Sequence, residues 1–174
     1  MLKLPSGSIL FTSSFSGFSY GIIGFEIFFK KNIARNIPTH CEVYFKDIGV
    51  VSAQFPVVCI KKPADDYLYV LHNQKLRGKK LTEFRETILQ RVGAPYDVIS
   101  IVKFMPILEN FMLSIINSIT KKNINELPQI GYNCVSLFRG LVPFEVDNLT
   151  VVEFMNELQR HGWKAYNFSQ FIRR

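Results

Sequence analysis

Thr39-His40-Cys41-Glu42-Val43-Tyr44-Phe45-Lys46-Asp47-Ile48-Gly49-Val50-Val51-Ser52-Ala53-Gln54 is the stretch from which the fold of this chain is read. β-Branched and aromatic residues dominate two short runs, His40 to Phe45 and Val50 to Gln54. Such residues suit a pleated, half-buried surface. The connector Lys46-Asp47-Ile48-Gly49 holds Asp and Gly, so the two runs are expected to form a β-hairpin. Adjacent Asp-Gly, the tightest turn signal, is missing. Side chains two apart on a strand share a face, which puts His40 and Glu42 on the same side.

The flanking sequence extends this β region. Ser8 to Thr12 reads as an opening strand, Val57 to Lys61 as a further one after Pro56, and Asp66 to His72 alternates well enough for another. Ser13 to Gly21 has the composition of a loop, and Ile22 to Lys31 that of a short amphipathic helix. The second half is helical in pattern. Thr82 is an expected N-cap for a helix to about Val92, with Glu83 and Glu86 in its first turn and Gly93 at its end. Asp97 is an expected N-cap for the apolar run Val98 to Ile119. Lys103, Pro106, Glu109 and Asn110 interrupt that run, which suits a buried or amphipathic helix pair bent at Pro106 better than a membrane span. Cys134 to Leu141 shows helical spacing at Val135, Phe138 and Leu141, stopped by Pro143. Thr150-Val151-Val152-Glu153 has the form of a capping box, with a helix expected to Gly162 and a strand from Trp163 to Phe168 after it. Strands followed by helices make an α+β fold.

Composition narrows the class. The chain has 174 residues, 48% hydrophobic and 20% charged, which is expected to be one domain over 1–174 with a real core. Sixteen Phe and seven Tyr are read as core material. The formal charge of +7 suits an anionic membrane or an acidic wall polymer. Its basic residues fall in scattered pairs such as Lys30-Lys31 and Lys79-Lys80, so nucleic acid is the less favoured partner. Cys41, Cys59 and Cys134 are odd in number and lack CxxC spacing. That argues against a zinc site and a disulfide framework, and suits a reducing compartment. A Cys41–Cys59 bridge stays open, with buried free thiols favoured. Met1-Leu2-Lys3-Leu4-Pro5 does not open a secretory signal, so a cytoplasmic or virion-associated location is expected.

One thiol stands out chemically. Cys134 lies at the expected start of a helix, where the macrodipole favours a thiolate. His40 on its strand is a candidate base for it. Most free cysteines are small buried apolar residues, and a lone strand histidine is usually a hydrogen-bonded core residue. His161 beside Gly162 is at a helix end, where an imidazolium suits the dipole without catalysis, and His72 closes a strand.

Five stretches together tip the balance: Gly7-Ser8-Ile9-Leu10-Phe11, Thr39-His40-Cys41-Glu42-Val43-Tyr44, Val50-Val51-Ser52-Ala53, Gly93-Ala94-Pro95-Tyr96-Asp97 and Tyr132-Asn133-Cys134-Val135-Ser136-Leu137. In this order they resemble the circularly permuted papain-like thiol hydrolases of the NlpC type. That group includes YiiX-like proteins, phage and poxvirus relatives, and lecithin retinol acyltransferase. The resemblance implies a small antiparallel sheet or half-barrel packed against helices. It implies Cys134 as nucleophile, His40 as general base and no cofactor. The substrate class implied is an amide or ester in a peptide, a peptidoglycan-type polymer or an acyl-lipid. Two departures stand out: Ser52 where many relatives carry an acidic residue, and Val135 where Ser often follows the nucleophile. The orienting third residue is therefore open among Glu42, Ser52 and Gln54, and Tyr132 is a candidate cleft residue. The alternatives from other classes are a catalytically silent viral or phage structural or host-interaction protein on the same fold, and a membrane-surface binder using Val98 to Ile119.

Overall fold

Every strand expected from the sequence is present, and together they make one antiparallel sheet. The computed structural model describes residues 4–13, 37–97 and 131–171. Its strands are β1 (Ser8–Thr12), β2 (His40–Phe45), β3 (Gly49–Gln54), β4 (Val57–Lys61), β5 (Tyr69–His72) and β6 (Lys164–Asn167), in the order β4-β3-β2-β1-β5-β6. Among the described residues two α-helices follow the first five strands, α1 (Lys79–Gln90) and α2 (Val151–Arg160). The chain is thus α+β. Among the described residues no helix is long and apolar enough to cross a membrane. The helices expected over Ile22 to Lys31 and Val98 to Ile119, and most of the loop from Ser13 to Gly21, lie outside the described residues.

The hairpin forms as the turn residues require. Phe45 pairs with Gly49, leaving Lys46-Asp47-Ile48 as the loop. Gly49 has φ 108°, and a Cβ there would meet the Lys61 carbonyl at 2.7 Å, so glycine is needed for both reasons.

β1 is central and buried on both sides, which explains why Ile9, Leu10 and Phe11 are all apolar with no alternation. One face of the sheet carries Ile9, Phe11, Cys41, Val43, Phe45, Val51 and Leu71 against Phe84 and Ile88 of α1, Leu137, Phe138, and Phe154 and Leu158 of α2. Fully burying one such side chain stabilises the fold by about 1.5–3 kcal/mol. Leu10, Tyr44, Val50 and Val70 face the other way and pack with Tyr67 and Phe168. That second face also holds the buried polar residues Glu42 and Ser52.

Several boundaries move, each for a local reason. α1 starts one turn before Thr82, after Gly78, because Lys79 and Lys80 are helix formers; the Thr82 hydroxyl donates back to the Gly78 carbonyl at 3.4 Å instead of capping. β5 starts at Tyr69 and not Asp66, because Tyr67 turns its ring inward while Asp65 and Asp66 stay exposed. Trp163 and Phe168 flank β6 as buried anchors and are not part of it. The capping box is present in full: Glu153 N–H donates to Thr150 Oγ1 at 3.2 Å, and Thr150 N–H donates to Glu153 Oε2 at 2.9 Å.

Candidate active site

Cys134 does not start an α-helix. A single 3-10 turn, Ser136–Phe138, replaces the helix expected from Cys134 to Leu141, so the macrodipole argument for its thiolate fails. Local hydrogen bonding explains the difference. The Asn133 side-chain oxygen accepts from Val135 N–H at 3.0 Å and Ser136 N–H at 2.7 Å, while Ser136 Oγ accepts from Asn133 N–H at 2.8 Å. Asn and Ser compete in this way with helical backbone bonding. Arg139 then turns to extended geometry, φ −56° and ψ 128°, and ion-pairs with Asp147 at 2.6 Å.

The turn is clamped from two sides. Arg91, just beyond α1, donates to the carbonyls of Leu137 and Arg139, the latter at 2.7 Å, and its guanidinium lies 5.0 Å over the Tyr132 ring. On the other side Tyr132 N–H donates to the Pro95 carbonyl at 3.0 Å, and Asp97 N–H to the Tyr132 carbonyl at 3.2 Å. Gly131 makes this close pairing possible: it has φ 95°, and a Cβ there would lie 1.9 Å from the Pro95 oxygen. Gly131→Ala is expected to destabilise the chain by at least about 2 kcal/mol, from overpacking plus a strained backbone. Denaturant unfolding checks this, and a midpoint equal to wild type would contradict the pairing.

The fold brings His40, Cys41 and Cys134 together at the start of β2. The β2–β3 ladder stops at Val43↔Val51, so the first three residues of β2 run on past it. Cys41 donates its thiol to the Cys134 carbonyl at 3.2 Å, and the hydrogen-bonding and charge influence of His40 on Cys134 favours the thiolate. His40 Nε2 lies 2.8 Å from Ser52 Oγ and 3.6 Å from Glu42 Oε2.

Glu42 is the anchor behind the ring. Its side chain is 1% exposed, yet Lys61 Nζ stands 2.8 Å from Oε2 and the Tyr67 hydroxyl donates to Oε1. Oε2 is therefore held by charge, from Lys61 and His40, with no aligned hydrogen bond. Burial alone would raise the Glu42 carboxyl, but His40, Lys61 and Tyr67 together hold it down at about 2. Burial likewise opposes the His40 imidazolium, while hydrogen bonding and charge from Cys134 and Glu42 lift its pKa to about 9. For Cys134 the largest influence is the neighbouring Cys41 thiol, which favours the thiolate. Burial opposes, and His40 and the Cys41 backbone N–H add to the lowering, so the thiol lies well below its ordinary value. Burial, with the charges of Cys134 and Glu42, pushes the Cys41 thiol up. An anionic sulfur beside a cationic imidazole is the ground state these directions describe.

Of the candidate orienters, Ser52 and Glu42 both reach the ring. Gln54 is exposed at the end of β3 and makes no contact with His40 among the described residues. Tyr132 is half-buried and serves as a platform for Arg91. Lys61 and Tyr67 escaped sequence reading because nothing in their neighbourhoods marks them as partners of Glu42. The only usable signal was the even spacing of Glu42 along β2, which predicts a charge on a face that needs a counter-charge. Cys59 is free and half-buried on β4, so no Cys41–Cys59 bridge exists. The chain matches no protein-family model, no curated protein and no solved structure.

Proposed function

We propose that this chain is a cysteine hydrolase or acyltransferase acting on an amide or ester bond, with a permuted papain-like arrangement of its parts. The observation that carries the reading is the gathering of His40, Cys41 and Cys134 at the start of β2, with Ser52 and Glu42 at His40 Nε2. A Cys–His pair needs a third group only to fix the imidazole, and either a hydroxyl or a carboxylate serves.

In this mechanism the proton of Cys134 rests on His40. The sulfur attacks the carbonyl carbon, and the carbonyl electron pair moves to oxygen. The Cys134 backbone N–H, which donates to none of the described residues, is the candidate donor to that oxyanion. His40 gives its proton to the leaving amine or alcohol as the C–N or C–O bond breaks, which leaves an acyl-cysteine. Water, an alcohol or an amine, deprotonated by the same imidazole, then attacks the acyl carbon and releases the thiolate. Peptide, peptidoglycan-type and acyl-lipid substrates all satisfy this scheme, and a positive chain favours those that carry or lie beside negative charge.

Trapping of the acyl-enzyme tests the proposal. Incubation with an activated acyl ester is expected to add one acyl mass to the tryptic peptide spanning 123–139, which contains Cys134. The adduct should vanish in Cys134→Ala and fall by roughly 100-fold or more in His40→Ala. Equal, sluggish acylation of all three cysteines would reject the enzyme reading.

A further inference from the structure

The proposed mechanism leaves one nucleophilic group unused. Cys41 is fully buried, free, and pressed against Cys134, its thiol 3.2 Å from the Cys134 carbonyl oxygen. A hydrolase needs no second thiol beside its nucleophile, and an apolar residue would fill the same place on β2 without a polar hydrogen. Cys134 is 8% exposed, whereas Cys41 is fully buried beside it.

We infer that Cys41 is a resolving thiol for Cys134, so that a peroxide converts the pair to a reversible Cys41–Cys134 disulfide that withdraws the nucleophile. The Cys134 thiolate attacks one peroxide oxygen, the O–O bond breaks, and the departing hydroxide takes the His40 proton as water. Cys134 is then a neutral sulfenic acid. The Cys41 sulfur attacks the sulfenic sulfur, the S–O bond breaks, and the departing hydroxide takes the Cys41 proton to leave as a second water. Two thiols are oxidised to one disulfide while one peroxide is reduced to two waters. The resting order of the protons suits this sequence. Cys41 keeps its proton chiefly through burial and also beside the Cys134 thiolate, and the second of these influences ends once that charge is gone. The inference rests on the Cys134 thiolate of the proposed hydrolase and not on its acyl chemistry.

Peptide mapping of the reduced full chain after hydrogen peroxide treatment tests it. Trypsin places Cys41 in 36–46 and Cys134 in 123–139, apart from Cys59 in 47–61. The expected product is a linked pair of the first two peptides, about 2 Da lighter than their sum, which dithiothreitol splits. Iodoacetamide labelling of Cys134 should fall about tenfold or more and return on reduction. In Cys41→Ser, and in Cys41→Ala as an apolar replacement at the buried site, Cys134 should pass to a sulfinate that dithiothreitol does not rescue. A sulfinate on Cys134 in the wild type with Cys41 still alkylatable overturns the inference, as does a disulfide to Cys59. Acyl labelling of the reduced chain without any disulfide overturns this inference alone. A disulfide without acyl labelling supports it and overturns only the hydrolase reading.

Discussion

Iodoacetamide is expected to alkylate Cys134 at a nearly constant rate from about pH 6 to about pH 9 in the wild-type chain. In His40→Ala the rate at about pH 7 should drop by about tenfold or more, because burial then opposes the thiolate with only the Cys41 contribution left to favour it. The reason is the partnership described above. His40 supplies both a hydrogen bond and a positive charge to the sulfur, and burial alone would hold the thiol protonated. Acyl turnover should fall further, by about 10²–10⁴, because the variant also lacks the proton donor to the leaving group. Circular dichroism separates loss of chemistry from loss of fold. A folded His40→Ala chain with an unchanged alkylation profile would show that the ring does not act on the thiol.

Glu42→Gln is expected to cost roughly 3 kcal/mol of stability at about pH 7, the low end for breaking a buried pair. The amide leaves His40 and Lys61 without their shared counter-charge, and Lys61, 31% exposed, recovers part of the loss by turning to water. The effect has a defined pH window. The folded-state Glu42 carboxyl at about 2 lies below the ordinary 4.5, so its contribution is full above about 4.5 and is lost as pH falls toward about 2. The wild-type advantage, up to about 3 kcal/mol from that depression, should therefore vanish across this acid range while Glu42→Gln stays flat. His40 works in the opposite sense. Raised from 6.5 to about 9, it contributes fully below 6.5 and loses that contribution as pH rises through about 9. Denaturant unfolding at a series of pH values measures both arms. Equal stability of wild type and Glu42→Gln at about pH 7 would remove Glu42 from the anchoring role.

Much of the sheet was legible because its signals are local. The strands Ser8–Thr12 and Val57–Lys61 match their apolar runs to the residue, and the capping box at Thr150 and Glu153 closes as its sequence form predicts. The Cys134 segment departs from its helical spacing for an equally local reason. Val135, Phe138 and Leu141 do bury one face, but Asn133 and Ser136 satisfy each other's polar groups before a second helical turn forms. Apolar spacing reports which residues go inside, and side-chain hydrogen bonding decided how the backbone brought them there.

The site divides along the same line. Residue types at Cys134, His40 and Glu42 limit the chemistry to a thiol, an imidazole and a carboxylate, and period-two alternation puts the last two on one face of β2. Sequence alone therefore carried the cast of groups and the hairpin that presents two of them. Their energetics depend on residues far away in the chain: Lys61 from β4 and Tyr67 before β5 hold Glu42 ionised, and Cys41 rather than a helix dipole favours the Cys134 thiolate. No spacing rule reports such pairings, because they arise from how strands register and how a buried charge finds its partner. Electrostatic free energy depends on distance and dielectric, and only the folded chain sets either.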